Sequence, residues 1–242
     1  YLNDVSLVNR VFGALKDEIG AYWLSSSNGL VVYNPETNSL KMLPGLSPHL
    51  DRRRVICTEV DGSGRYWVGT DNGLSKIENG EIENFFTEDG LAHNSNWSII
   101  EDSKTNIWLG SYGGGVTHYD GNKFTVFNKD KGLVNNFVRK LFEYKNLIFI
   151  GTDNGLSTIN LQTYEVEIIN TNIEGFQIMK FFVYKDDIYC ATFKSGIFKI
   201  NLKNKSINKV FDNENEANDA LFSLYAKDSI LYYGVNEAMN SK

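Results

Sequence analysis

The sequence predicts an all-β fold, a β-propeller built from four-stranded antiparallel blades. Three observations lead to this prediction: a repeat of about forty residues, two glycine-containing turns within each repeat, and a composition suited to strands. Aromatic residues make up 13% of the 242 residues, and there are 21 glycines but only 3 prolines. Short runs of valine, isoleucine and aromatic residues, separated by Asn-Gly and Asp-Gly, are typical of strands joined by tight hairpins.

The repeat is clearest in the run Trp-Val-Gly-Thr-Asp-Asn-Gly-Leu at residues 67–74. Its aromatic first position recurs at residues 23, 67, 108, 149, 189 and 232, so successive copies lie 44, 41, 41, 40 and 43 residues apart. A four-stranded meander alone is marginally stable, whereas blades that stack on each other bury their faces. A β-solenoid also repeats, but its rungs are usually shorter and lack two glycine hairpins per unit. We therefore favour a propeller.

Residues 1–242 are predicted to form a single propeller domain, or a segment of one. The blades are expected at about residues 8–43, 55–86, 96–127, 138–169 and 178–211, with a partial sixth at 220–242. The sixth repeat offers two strands before the sequence stops. We therefore expect a piece of a longer array rather than a closed ring.

Charge and cysteine content exclude several classes of function. The net charge of −6 disfavours nucleic-acid binding, because the chain repels phosphate backbones on average. No apolar run has the length of a membrane helix, and no signal peptide is visible. Cys57 and Cys190 match no metal spacing, and we expect two small buried side chains rather than a disulfide.

Two motifs carry a resemblance to a known family. The first is Asp61-x-x-Gly-x-Tyr-Trp-Val-Gly-Thr-x-x-Gly-Leu, and the second is Gly90-Leu-x-x-Asn94, with another copy at Gly132-Leu-Val-Asn-Asn136. These motifs resemble the two-component regulator propeller repeat. The resemblance covers essentially the whole chain and is best over residues 55–160. The later repeats depart from it, since Tyr189 and Tyr232 replace the tryptophan.

The resemblance implies a sensor function. Such repeats form the periplasmic sensor region of hybrid two-component systems in Bacteroides-like bacteria. The resemblance implies that this region binds oligosaccharides and regulates glycan utilisation. The complete protein would then be membrane-anchored and carry a histidine kinase. This segment is expected to be a binding module and not an enzyme, with no metal and no cofactor. We expect no contact of the segment itself with nucleic acid or membrane, and a homodimer is compatible with this function.

The ligand is expected on the face where the loops between the last strand of one blade and the first strand of the next gather. Sugars bind through hydrogen bonds to amide and guanidinium groups and through stacking on aromatic rings. The candidate ligand-binding residues in these loops are Arg52, Arg54, His93, Asn94, Asn96, Trp97, Asn136 and Arg139.

Structural roles are the alternative for several of these residues. The asparagines recur in the repeat and are suited to capping turns, and the arginine run 52–54 is suited to a solvated patch or to an anionic sugar. Trp97 differs from Trp23, Trp67 and Trp108, which occupy the repeat position expected to pack between blades. An aspartate six residues before each of these three is expected to be structural.

Two other functions remain open. A propeller lyase of the streptogramin-cleaving type would need a histidine base and a metal, for which only His49 and His93 lie in equivalent loops. A protein-interaction scaffold of the WD-repeat kind would need a protein partner, but the Trp-Asp dipeptide is absent.

Overall fold

The computed structural model describes residues 10–42, 54–169, 176–193, 195–211, 220–227 and 230–236. Apart from two single 3₁₀ turns, Thr87–Asp89 and Lys129–Lys131, its regular structure in these ranges is all strand. In chain order the strands are β1 (Val11–Lys16), β2 (Tyr22–Ser26), β3 (Gly29–Asn34), β4 (Ser39–Met42), β5 (Val55–Val60), β6 (Tyr66–Thr70), β7 (Gly73–Glu78), β8 (Glu81–Phe85), β9 (Asn96–Glu101), β10 (Ile107–Ser111), β11 (Gly115–Tyr119), β12 (Phe124–Phe127), β13 (Val138–Tyr144), β14 (Leu147–Thr152), β15 (Gly155–Asn160), β16 (Val166–Ile169), β17 (Ile178–Tyr184), β18 (Asp187–Thr192), β19 (Ile197–Asn201), β20 (Ser206–Phe211), β21 (Ala220–Lys227) and β22 (Ile230–Asn236).

Consecutive strands pair into antiparallel sheets that correspond to the predicted repeats. Blades 1 to 5 are the four-stranded sheets β1–β4, β5–β8, β9–β12, β13–β16 and β17–β20, and β21 pairs with β22 alone. The fold-class prediction of five complete blades and a partial sixth is confirmed. The first and last strands of a blade are called strand A and strand D below, with strands B and C between them.

The chain divides into two units, residues 1–127 and 128–242. In the first unit strand A of each blade packs beside strand A of the next, in the order β1, β5, β9. The second unit has the same arrangement with β13, β17 and β21. Neighbouring first strands are the expected geometry of propeller blades.

The hydrophobic cores lie between successive sheets. Side chains from blades 2 and 3 form one cluster around Trp67, and those from blades 4 and 5 form another around Phe149. Trp67 and Trp108 are fully buried, while Trp23 is partly buried and stacks on Tyr66 of the next blade at 4.0 Å between ring centroids. The repeat tryptophans therefore pack inside the protein, as the sequence predicted.

A carboxylate anchors each of these tryptophans. The indole N–H groups of Trp23, Trp67 and Trp108 donate to the aspartate six residues earlier, at 2.9, 2.7 and 2.7 Å. The second oxygen of Asp61 accepts backbone N–H groups of the turn between strands A and B, from Ser63 and Arg65. The predicted structural role of these aspartates is confirmed.

Blades 4 and 5 use a different turn between strands A and B. Lys145 and Asn146 have positive φ angles of 48° and 64°, which is the geometry of a two-residue hairpin, and Lys185 and Asp186 repeat it. This shorter turn contains no aspartate six residues before the aromatic position. Phe149 and Tyr189 occupy the aromatic position instead of tryptophan. The departure of these repeats from the tryptophan motif therefore accompanies a change of turn type, while the four-stranded blade is kept.

Candidate ligand-binding site

Every strand A begins with a β-bulge. In blade 2, for example, Val55 pairs with Thr70 and Cys57 with Gly69, so that Ile56 is left without a partner in the ladder. A bulge redirects the side chain of its extra residue away from the normal alternation. In blades 1 to 5 the bulge residues are Phe12, Ile56, Trp97, Arg139 and Met179.

The turn between strands B and C is tied to the same end of strand A. The first residue of this turn donates its N–H to the carbonyl just before strand A, as in Tyr112 to Ser95 at 2.9 Å and Asp153 to Phe137 at 3.0 Å. The bulge side chain, the turn between strands B and C, and the incoming loop from the previous blade therefore meet at one end of each blade.

Four side chains in the first unit form what we call the aromatic–arginine cluster: Phe12, Arg54, Trp97 and Tyr112. The guanidinium carbon of Arg54 lies 4.6 Å from the ring centroid of Phe12 and 5.7 Å from that of Trp97. On its other side Trp97 stacks on Tyr112, with ring centroids 4.8 Å apart and an interplanar angle of 20°. All four side chains are partly exposed.

The cluster contains a buried hydrogen-bond donor. The Nε atom of Arg54 is buried and has no hydrogen-bond partner among the described residues. A buried donor left unpaired costs about 1–3 kcal/mol, of which cation–π contacts with Phe12 and Trp97 recover about 0.5–2 kcal/mol. Such a donor is suited to an acceptor supplied by a ligand.

The loop that leads into Trp97, residues 87–95, is fixed to the blades on both sides. The N–H of Gly73 in blade 2 donates to the Asn94 carbonyl at 2.6 Å, and the Ala92 N–H donates to Oγ1 of Thr117 in blade 3 at 2.8 Å. The Trp97 indole donates to Oγ of Ser95 at 3.0 Å. These bonds hold the indole in place before any ligand arrives.

The linker asparagines cap turns. Oδ1 of Asn94 accepts the N–H of Thr87 at 2.9 Å, and Oδ1 of Asn136 accepts the N–H of Lys129 at 2.8 Å in the equivalent loop. Asn96 is fully buried, and its side chain donates to the Asn94 carbonyl at 3.2 Å. The backbone-capping alternative therefore describes what these side chains do in the structure.

The remaining candidates differ in their surroundings. His93 is exposed, and its Nδ1 accepts the N–H of Ser95 at 3.0 Å. Arg139 pairs through two nitrogens with both carboxylate oxygens of Asp153, so its charge is already neutralised. Arg52 lies outside the described residues.

The structure thus brings together part of the predicted site. Arg54 and Trp97 form a cation–π contact, and the loop with His93 and Asn94 leads through Asn96 into Trp97, all within the first unit. Asn136 and Arg139 belong to the second unit. Sequence reasoning missed Phe12 and Tyr112; the one available signal was that Tyr112 begins a turn where the blade 2 and blade 4 repeats have aspartate.

Other parts of the described chain are weaker candidates for a ligand-binding site. Two surface depressions lie on outer strands, one crossed by the ion pair between Lys76 and Glu83 and the other lined by Glu165 and Glu167. Among the described residues, no group of three or more histidine, cysteine or acidic side chains could hold a metal ion. No helix in those ranges is long and apolar enough to span a membrane.

Comparison with known families supports the repeat. Residues 90–113 match the family model described as two component regulator propeller. The chain therefore carries a repeat of this class, as its motifs indicated, and the matched stretch includes Trp97 and Tyr112. No curated protein matches the sequence.

Similar solved structures include extracellular domains of signalling proteins. That of a hybrid two-component system from B. thetaiotaomicron is 20% identical with a TM-score of 0.79, and 93% of this chain covers 32% of that chain. That of a one-component system from the same bacterium is 20% identical with a TM-score of 0.76, covering 93% and 31%. This chain thus spans about a third of the length of those domains.

A streptogramin B lyase structure is also similar, at 15% identity and a TM-score of 0.71, with 94% of this chain and 76% of that chain covered. At these identities the likenesses show a shared fold and carry no activity from one protein to the other.

Proposed function

We propose that this chain is the ligand-binding, non-catalytic portion of a two-component sensor located in the periplasm, and that it recognises oligosaccharides to regulate glycan utilisation. One observation carries the proposal. The stretch that matches the two-component regulator propeller model, residues 90–113, is the stretch that supplies Trp97 and Tyr112 to the aromatic–arginine cluster. The similar extracellular domains of two-component and one-component systems support a sensor role.

The cluster has the chemistry that sugar recognition needs. Phe12, Trp97 and Tyr112 supply apolar ring surface for the C–H groups of a pyranose, and Arg54 supplies donors for its oxygens. Because the loop of residues 87–95 is hydrogen-bonded to two blades, little ordering entropy is lost on binding. In the complete protein, membrane-anchored and linked to a histidine kinase, binding here would alter the arrangement of a homodimer.

Calorimetric titration of the complete protein with a panel of neutral and acidic oligosaccharides tests the proposal. We expect saturable binding of one sugar class, weakened about five- to a hundred-fold in Trp97→Ala because loss of a central aromatic contact costs about 1–3 kcal/mol. Tyr164→Ala, which removes an exposed aromatic ring far along the chain at a turn between outer strands, is the matched control. Absence of binding by any glycan to the folded protein would refute the sugar assignment.

A further inference from the structure

The described arginines fall into two pairs with opposite environments. Arg65 and Arg139 form ion pairs with Asp61 and Asp153. Arg10 and Arg54 form none with any carboxylate that the structure describes, and both lie against the same ring, Phe12, at 5.4 and 4.6 Å from its centroid. Two guanidinium groups without a carboxylate partner among the described residues therefore lie beside Phe12, one ring of the aromatic–arginine cluster.

The contrast between blades 2 and 4 shows that this placement is selective. In both blades the turn between strands B and C begins with an aspartate, Asp71 or Asp153. Asp153 neutralises Arg139, which is the bulge residue of its strand A. In blade 2 the arginine stands two positions earlier, at Arg54, and its side chain turns toward Phe12 and Trp97 instead of pairing with Asp71.

A chain of net charge −6 has many carboxylates with which to neutralise an arginine. Two guanidinium groups held near one ring repel each other, and the buried Arg54 Nε has no acceptor in the part of the chain that the structure describes. A planar guanidinium fork binds carboxylate and sulfate groups through two parallel hydrogen bonds, and such charge-assisted bonds are about twice as strong as neutral ones. An anionic oxygen group at this position would reduce the repulsion between the two guanidinium groups and would accept a hydrogen bond from the Arg54 Nε.

We propose that the aromatic–arginine cluster binds the anionic group of an acidic saccharide, a sulfate ester or a uronate carboxylate, with Arg54 as its main ligand and Arg10 as a second positive charge. The inference rests on the proposed function, which it narrows from oligosaccharides in general to acidic ones. Phe12 and Trp97 hold the Arg54 fork in place, so that its donors are arranged before the ligand binds.

The test compares matched ligands on the complete protein. Chondroitin 6-sulfate tetrasaccharide, its desulfated form, and the desulfated form with its carboxyl groups reduced differ only in their anionic groups. We expect the charged forms to bind about ten- to a hundred-fold more tightly than the neutral form, the range expected for hydrogen bonds to a charged group. Comparison of the two charged forms shows whether sulfate or carboxylate is the recognised group.

Variants locate the effect. Arg54→Gln should lower the affinity for the charged forms to that for the neutral form, and Arg54→Lys, which keeps the charge but not the fork, should retain a few-fold advantage of the charged forms. Lys41→Gln removes one charge from an exposed position on strand D of blade 1 and should change nothing. If Arg54→Gln does not fold, Arg10→Gln at an exposed site should still reduce the advantage.

Failure of this inference can be distinguished from failure of the proposed function. Equal affinity for neutral and charged forms, unaffected by Arg54→Gln, would refute the anion site and leave sugar sensing intact. If no saccharide binds, inorganic sulfate is titrated against acetate and followed by tryptophan fluorescence, with Trp97→Phe to assign the signal. A response that requires Arg54 would then support an anion site, and no such response would refute it.

Discussion

At the scale of single residues, the aspartate that anchors each repeat tryptophan has the most clearly defined structural role. The Asp61 side chain is fully buried, and its oxygens accept from the Trp67 indole, from backbone N–H groups, and from the Arg65 side chain at 2.6 Å. Burial acts to raise the pKa of this carboxyl, but these hydrogen bonds together outweigh it and hold the pKa below its ordinary value. The ionised form is therefore the one the fold requires.

This lowered pKa predicts an acid-dependent loss of stability. A carboxyl whose pKa is depressed on folding contributes stability that is complete above its unfolded pKa, near 4, and is lost as pH falls through the folded pKa. At pH 7 we expect Asp61→Asn to reduce the free energy of unfolding by about 2 kcal/mol, because hydrogen bonds to a charged acceptor are lost. Urea denaturation of the complete protein measures this.

Urea denaturation of the wild type and Asp61→Asn at low pH is the more specific test of the Asp61 pKa. As the pH falls from about 4 through the lowered folded pKa, the difference in unfolding free energy between the wild type and Asp61→Asn should shrink, because the carboxyl of the unfolded wild type is protonated first and that of the folded protein afterwards. Asp71→Asn, at an exposed position of the next turn, serves as the control and should follow the wild type at every pH. A difference that stays constant from pH 7 to pH 3 would contradict the assignment.

At the scale of elements, the loop of residues 87–95 is seated too closely on blade 3 to accept extra atoms. A Cβ atom added to Gly114 would overlap the backbone carbonyl of Ala92 and approach Cβ of His93 to 2.9 Å. Gly114 does not have a positive φ angle, so its requirement is close approach rather than backbone conformation. The glycine run in this turn therefore serves to admit the loop that supports Trp97.

Gly114→Ala should consequently displace the loop. We expect a loss of about 1–3 kcal/mol in unfolding free energy, the usual cost of overpacking, together with weaker ligand binding as Trp97 shifts. Gly62→Ala is the matched control, because a Cβ there meets nothing nearer than the flexible Glu101 carboxylate at 3.5 Å. Denaturation and calorimetric titration measure the two effects, and a variant with wild-type values in both would show that the loop is not a rigid support.

Strands and turns could be predicted from the sequence because their determinants are local. Tryptophan anchors, Asn-Gly turns and their spacing predicted a second blade at about residues 55–86, and its four strands run from Val55 to Phe85. The bulge at the start of each strand A has no local signature of this kind, since it depends on pairing with strand B. The contact of Phe12 with Arg54 joins two blades more than forty residues apart in sequence, and so only part of the site was foreseen.

At the scale of the whole molecule, the repeated residues determine the blade architecture, and the positions that vary from one repeat to the next determine the chemistry of the surface. Blades 1 to 3 share the anchored tryptophan, whereas the bulge positions differ in every complete blade: phenylalanine, isoleucine, tryptophan, arginine and methionine. A repeated scaffold with a variable residue at one equivalent end of each blade is well suited to changing ligand preference without changing the fold. Under the proposed function, we therefore expect ligand recognition at those ends.

A sensor of extracellular glycans must present those ends outside the inner membrane, and this can be tested in cells. In spheroplasts of the bacterium that makes the protein, a membrane-impermeant amine-reactive biotin should label exposed lysines such as Lys41 before lysis. A cytoplasmic protein in the same sample should stay unlabelled until the cells are broken. Labelling is read by streptavidin capture and immunoblotting of the complete protein. If the complete protein, like the cytoplasmic control, were labelled only after lysis, the chain would face the cytoplasm. Its aromatic–arginine cluster would then have to bind an intracellular ligand.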